Sequence, residues 1–97
     1  MREILALIDT GADITVVPTR ILKKIGASSE DHTYITEGGI SRRAKIFSVD
    51  IQIGIRRFPS VDVVGDNIND EIILGRNLLN KLVITLNGPK QELEIKI

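Results

Sequence analysis

The sequence predicts an all-β domain, mainly strands with one or two short helices, and three observations carry that expectation. Of the 97 residues, 42% are hydrophobic but only 3% are aromatic. Ile, Leu and Val must therefore fill the core, and β-branched side chains favour strands. Phe47, Val49, Ile51, Ile53 and Ile55 alternate with Ser48, Asp50, Gln52 and Gly54, the period of a half-buried strand. Near the end, Val83 to Leu86 and Glu92 to Ile97 flank Asn87-Gly88, a strong turn dipeptide, and predict a terminal hairpin.

Taken in order, Ile4 to Ile8 is an apolar run halted by Asp9-Thr10-Gly11, which reads as a strand buried on both faces and ending in a turn. Ile14 to Val17 resumes the extended pattern up to Pro18. Thr19 is the expected N-cap of a two-turn helix over 20–25, with Gly26 at its C′ position. Ser28 to Asp31 reads as polar loop, and His32 to Glu37 as a strand running into Gly38-Gly39, a pair able to take positive φ. Arg56-Arg57 falls in an expected turn, Val61 to Val64 in a strand, and Gly65 to Asp70 in a loop. Glu71 to Leu74 is a second apolar strand stopped by Gly75, after which Leu78, Leu79 and Leu82 fall at helical spacing. Two apolar strands that end at a glycine and lead toward a short helix form a weak internal echo. No linker or low-complexity tract divides the sequence, so residues 1–97 read as one domain.

Composition narrows the chemistry. Thirteen Lys+Arg balance thirteen Asp+Glu, which removes the long-range positive field that non-specific nucleic-acid or anionic-membrane binding needs. Zero Cys excludes thiolate metal sites and cysteine nucleophiles, and one His excludes a multi-histidine centre within a single chain. Hydrolytic chemistry would rest on carboxylates or hydroxyls. No apolar run approaches the roughly 20 residues of a membrane span, and the expectation is a soluble, cytoplasmic protein.

An Asp at the end of a buried strand is unusual, because a desolvated carboxylate is costly unless donors surround it. Thr10 offers a hydroxyl, and Gly11 lets backbone N–H groups turn toward the carboxylate. Such a carboxylate can also be a simple turn cap, and the residues by themselves leave that alternative open.

Leu7-Ile8-Asp9-Thr10-Gly11-Ala12-Asp13 resembles the active-site loop of the retropepsin-like, retroviral-type aspartic proteases. Gly38-Gly39-Ile40 is similar to the glycine-rich flap of that family, and Ile72-Ile73-Leu74-Gly75-Arg76-Asn77-Leu78-Leu79 to its C-terminal signature. The resemblance implies a retropepsin-like half-barrel, one subunit of an obligate homodimer, acting as an aspartic endopeptidase on an extended polypeptide. Two Asp9 carboxylates would share a proton and activate water without metal or other cofactor. Thr10 would hold the two loops in register across the axis, and Gly11 would make backbone contacts to the dyad. Ala12, Asp13, Gly38, Gly39, Ile40 and Ile73 would meet substrate, and Asp13 and Arg76 would form an internal ion pair behind the loop. Nucleic acid and membrane are not implied as partners.

Chains of this family usually carry a further strand before the one leading into Asp-Thr-Gly, whereas eight residues precede Asp9 here: either a shortened member or a start set inside the domain. The dimer interface is then expected on the C-terminal hairpin, as in the non-viral branch. The alternative function is a retropepsin-fold module that dimerises or binds peptides without cutting them. His32 reads as an exposed strand-edge residue and Ser28-Ser29 as loop. The basic cluster Arg42-Arg43-Lys45, with Arg56-Arg57, reads as a solvated flap surface, since no aromatic residue interleaves it for base stacking.

Overall fold

A computed structural model describes residues 5–96. Eight strands and two short helices follow in the order β1 (Ala6–Ile8), β2 (Thr15–Pro18), α1 (Thr19–Lys24), β3 (Ser29–Glu37), β4 (Ile40–Ile53), β5 (Arg56–Asp66), β6 (Ile72–Leu74), α2 (Arg76–Leu79), β7 (Val83–Asn87) and β8 (Glu92–Lys96). Six strands form one mixed sheet in the order β1-β6-β2-β5-β4-β3, and β7 and β8 form a separate two-stranded hairpin. The fold is all-β and retropepsin-like.

The alternation from Phe47 to Ile53 does what its period requires. Phe47 is buried, and Val49, Ile51 and Ile53 pack against the same cluster as Val17, Leu22, Phe58, Val61, Val63 and Leu78. Leu22 supplies the buried side of α1, and the helix closes on Gly26 with φ of +74°. The N–H groups of Gly26 and Ala27 reach the carbonyls of Lys23 and Leu22, at 3.1 and 2.9 Å.

Several elements depart from expectation, each for a local reason. Pro18, not Thr19, is the N-cap of α1, and no side chain caps the helix. Pro18 has a fixed φ, and Thr19 Oγ1 is turned toward Gly65 instead. Ser28 to Asp31 was expected as loop, but β3 starts at Ser29, whose hydroxyl donates to the Ile46 carbonyl at 2.7 Å. Arg42, Arg43 and Lys45 lie inside β4: Arg43 and Lys45 are on the exposed face of a two-stranded ribbon, which accepts charge readily, while Arg42 is on the other face, its side chain 32% exposed, with Asp66 3.7 Å away. Arg56 and Arg57 open β5, and the turn is Gly54-Ile55; the Arg56 guanidinium stacks over Phe58, 4.8 Å from the ring centre. The terminal hairpin turns through residues 88–91, with Gln91 at φ of +52°, and not through a two-residue Asn87-Gly88 turn. The expected strand ends at Ile4 and Ile97 lie outside the described residues.

Two apolar surfaces are left uncovered. Among the described residues β1 is an edge strand paired with β6 alone, with Leu5 95% and Leu7 55% exposed, so the expectation of burial on both faces does not hold there. On the hairpin, cross-strand partners Ile84 with Ile95 and Leu86 with Leu93 share one face, where Leu86 is exposed and Ile84 and Ile95 are only half-buried. An isolated two-stranded hairpin is at best marginal in water, and such a face requires a cover. No helix among the described residues is long and apolar enough to cross a membrane.

Candidate active site

The candidate site is built where β1, β2 and β6 meet. β1 runs parallel to β6 with Ile8 opposite Leu74, and Val16 of β2 lies beside Ile73 from the other side. The next residue, Asp9, donates its N–H to the Leu74 carbonyl at 3.1 Å, which extends the ladder to the aspartate itself. Its carbonyl accepts the Ala12 N–H at 3.2 Å, closing the turn over Thr10 and Gly11. Gly11 then donates its N–H to Asp9 Oδ1 at 2.9 Å. One backbone donor therefore aims the carboxylate, as expected from the glycine, while Thr10 is exposed.

Asp9 is also exposed. The desolvated carboxylate anticipated from the sequence is not present in a single chain, because β1, the strand before it, is an edge strand whose apolar side chains are open to solvent. Two shallow hollows lie elsewhere, one at Thr85, Asn87 and 92–94 on the hairpin, the other between α1 and residues 66–70. Neither touches Asp9.

Behind the loop is a rigid platform that depends on residues sixty positions away. Arg76 and Asn77 donate their N–H groups to the Ala12 and Asp13 carbonyls, at 2.8 and 3.2 Å. The Asn77 side-chain oxygen accepts both the N–H and the hydroxyl of Thr15, each at 2.9 Å, and its amide donates to the Asp62 carbonyl at 2.7 Å. Thr15 is fully buried, and its hydroxyl oxygen also accepts the Gly75 N–H at 3.1 Å. Gly75 is required because a Cβ there would lie 2.5 Å from the carbonyl carbon of Ile14. Asn77 and Thr15 were not singled out from the sequence. The only available signal was the polar side chain of Asn77 itself, set between Arg76 and the apolar pair Leu78-Leu79.

Asp13 and Arg76 form an ion pair between Oδ1 and Nη2, but their side chains are 82% and 51% exposed. The internal pair expected from the resemblance is thus a surface pair in the single chain. Ala12, which closes the turn after Asp9, and Ile73, opposite Leu7 on β6, are half-buried. Gly38 and Gly39 take φ of +57° and +79° at the tip of the β3–β4 hairpin, a conformation suited to a two-residue turn. Ile40, next to them, is 74% exposed. These three residues sit at the opposite edge of the sheet from β1, and no hydrogen bond or ion pair among the described residues joins them to the Asp9 loop.

His32 is exposed on β3. Tyr34, 74% exposed, lies directly across from Arg43, with His32 across from Lys45. An aromatic residue therefore does interleave the basic strip, from the neighbouring strand, where the linear sequence did not show it. Among the described residues no group of three or more His, Asp or Glu side chains is placed to hold a metal ion.

No curated protein sequence matches the chain. The profile of the family described as "gag-polyprotein putative aspartyl protease" matches residues 2–81, from β1 through the Gly75-Arg76-Asn77 platform. With four-fifths of its length so matched, and with an Asp-Thr-Gly turn held on a retropepsin-like sheet, the chain belongs to the gag-polyprotein aspartyl protease family.

Proposed function

We propose that the protein is an aspartic endopeptidase that works as a homodimer, and that each subunit contributes one Asp9 to a shared catalytic dyad. The observation that carries this reading is half of a site. A single carboxylate is aimed by the Gly11 N–H, anchored through Leu74 and braced by the Asn77–Thr15 platform, yet stands exposed to solvent. A second copy supplies both the partner carboxylate and the cover. At about 3 Å separation the two cannot both ionise cheaply, so one proton is shared. The ionised member takes a proton from water while the protonated one donates to the oxygen of the scissile carbonyl, giving a tetrahedral gem-diol. Proton transfer to the peptide nitrogen then releases the two products.

The apolar face of Ile84, Leu86, Leu93 and Ile95 fits the role of subunit interface, since pairing with the same hairpin of a second chain hides it and satisfies a strand edge. Ala12 and Ile73 would line the cleft and favour apolar residues beside the scissile bond. Gly38, Gly39 and Ile40 would close over the peptide as a flap and exclude water.

The test is Asp9→Asn, measured with a mixed peptide library and a statine-type transition-state mimic. Cleavage is lost while the far-UV spectrum and oligomeric state are retained, because the amide keeps the volume and removes only the charge. Wild-type cleavage by the variant would remove Asp9 from the chemistry. A wild-type chain that binds extended peptides but never cuts them would establish the binding-module alternative.

A further inference from the structure

The β4–β5 ladder ends where Ile46 pairs with Val64. Beyond that point β3 and β4 pair only with each other, out to Glu37 opposite Ile40, and form a two-stranded ribbon tipped by Gly38-Gly39. Such a ribbon has little stability of its own and can swing about the place where the third strand leaves it. Its inward face carries Thr33, Ile35, Arg42 and Ala44, which are half-buried or buried, so the ribbon lies against the body of the domain. Above the end of the ladder, one polar link among the described residues crosses from ribbon to body. It is Arg42 Nη2, 3.7 Å from Asp66 Oδ1.

Asp66 is built to receive it. The side chain is 4% exposed, and Oδ1 accepts the N–H groups of Ile68 and Asn69 at 2.8 and 3.2 Å while Oδ2 accepts the Asn69 side-chain amide at 3.1 Å. The carboxylate is thereby fixed at the base of residues 66–71, the segment that feeds β6 and hence the Leu74 carbonyl holding Asp9. At 3.7 Å the guanidinium acts through its charge, not through a hydrogen bond.

We propose that Arg42 is a positioning residue, and that its ion pair with Asp66 straps the β3–β4 ribbon to the segment entering β6, so that the flap closes on a peptide from a held position. A freely swinging ribbon would have to be immobilised whenever a peptide bound, and the strap reduces that cost in advance. The role in closure rests on the peptidase reading given above; the strap itself does not.

Hydrogen–deuterium exchange on the full chain tests the strap, with wild type compared to Arg42→Gln and Arg42→Lys. Arg42→Gln should speed exchange of the β3–β4 ladder amides between residues 31 and 45 by about fivefold and leave the β2–β5 ladder unchanged. Arg42→Lys keeps the charge and should restore most of the protection. No change in Arg42→Gln overturns the strap. Equal loosening in both variants also overturns it, because packing and not charge would then hold the ribbon. Calorimetric titration with a statine-containing peptide tests the role in closure: affinity should weaken in Arg42→Gln by a similar factor and return in Arg42→Lys. Unchanged affinity with a loosened ribbon overturns that role. A wild-type chain that binds no mimic refutes the peptidase reading and the closure role with it, while the exchange data still decide the strap.

Discussion

Replacing Gly75 by alanine should be among the most damaging single-methyl changes in this chain. The backbone there is extended, with φ of −94° and ψ of 178°, so alanine meets no dihedral penalty. The cost is contact. A Cβ would lie 2.5 Å from the Ile14 carbonyl carbon, 2.6 Å from its oxygen and 2.8 Å from the Thr15 nitrogen, where ordinary contact begins at 3.4 Å. All three are backbone atoms and cannot rotate away, so the two segments must part by almost 1 Å. Yet the same segments are joined by the Gly75, Arg76 and Asn77 N–H groups and by the Thr15 N–H to Asn77 Oδ1, at 2.8 to 3.2 Å. A shift of that size stretches several of these bonds beyond use, at about 1 kcal/mol each. Overpacking adds about 1–3 kcal/mol. Reduced freedom of the unfolded chain returns only about 0.4–1 kcal/mol. The expected loss is thus about 3–5 kcal/mol, a large share of the roughly 5–15 kcal/mol that holds a domain folded. Urea unfolding at one fixed protein concentration measures it, with Gly88→Ala as the control, since a Cβ at Gly88 meets nothing within 4 Å. A loss below about 1 kcal/mol for Gly75→Ala, or an equal loss for Gly88→Ala, would refute the argument from close approach.

Three further outcomes follow from the same geometry. A double-mutant cycle on Asp13→Ala and Arg76→Ala should give a coupling under about 1 kcal/mol at concentrations where the chain is monomeric, as an exposed pair requires; a larger value there would mean the pair is not exposed. Burial pushes the Asp66 carboxyl up, but the N–H groups of Ile68 and Asn69, the Asn69 amide and Arg42 outweigh it and hold the group below the ordinary carboxylate value. The ionised form is therefore the one folding favours: its contribution is present above about pH 4 and is lost as pH falls toward the folded-state value. Between neutral pH and about pH 3 the urea midpoint should fall less for Asp66→Asn than for wild type, and equal falls would contradict this. Deleting residues 89–97 should leave a monomer without peptidase activity by sedimentation and peptide assay, whereas an active dimer would move the interface off the hairpin.

What could be read from the sequence was local. Asp9-Thr10-Gly11 after an apolar run, glycines at 38–39 and the alternation from Phe47 each announce a conformation through their own chemistry, and the structure places turns and a strand there. What escaped was set by partners distant in sequence. Nothing beside Asn77 reveals that its side chain will bind Thr15, 62 residues earlier, nor does Arg43 show that Tyr34 will sit across from it. Arg42 to Lys45 hid the first half of β4, because the outward positions are charged and the inward ones are Arg42 and Ala44, which show no apolar alternation. The exposure of Asp9 and Leu7 was misjudged for the opposite reason: an apolar run states that a surface will be covered, but not whether its own chain does the covering.

The platform under Asp9 also imposes an order on the assembly of the site. Its hydrogen bonds run from residues 9–15 to residues 74–77, so the loop that carries the carboxylate has only its own turn bonds until a segment some sixty positions further along has been made and has docked. Contacts of such separation form late, because the chain between them must first lose its freedom. A nascent or fragmentary chain that ends before Asn77 therefore carries the aspartate without the platform that holds its loop against the sheet.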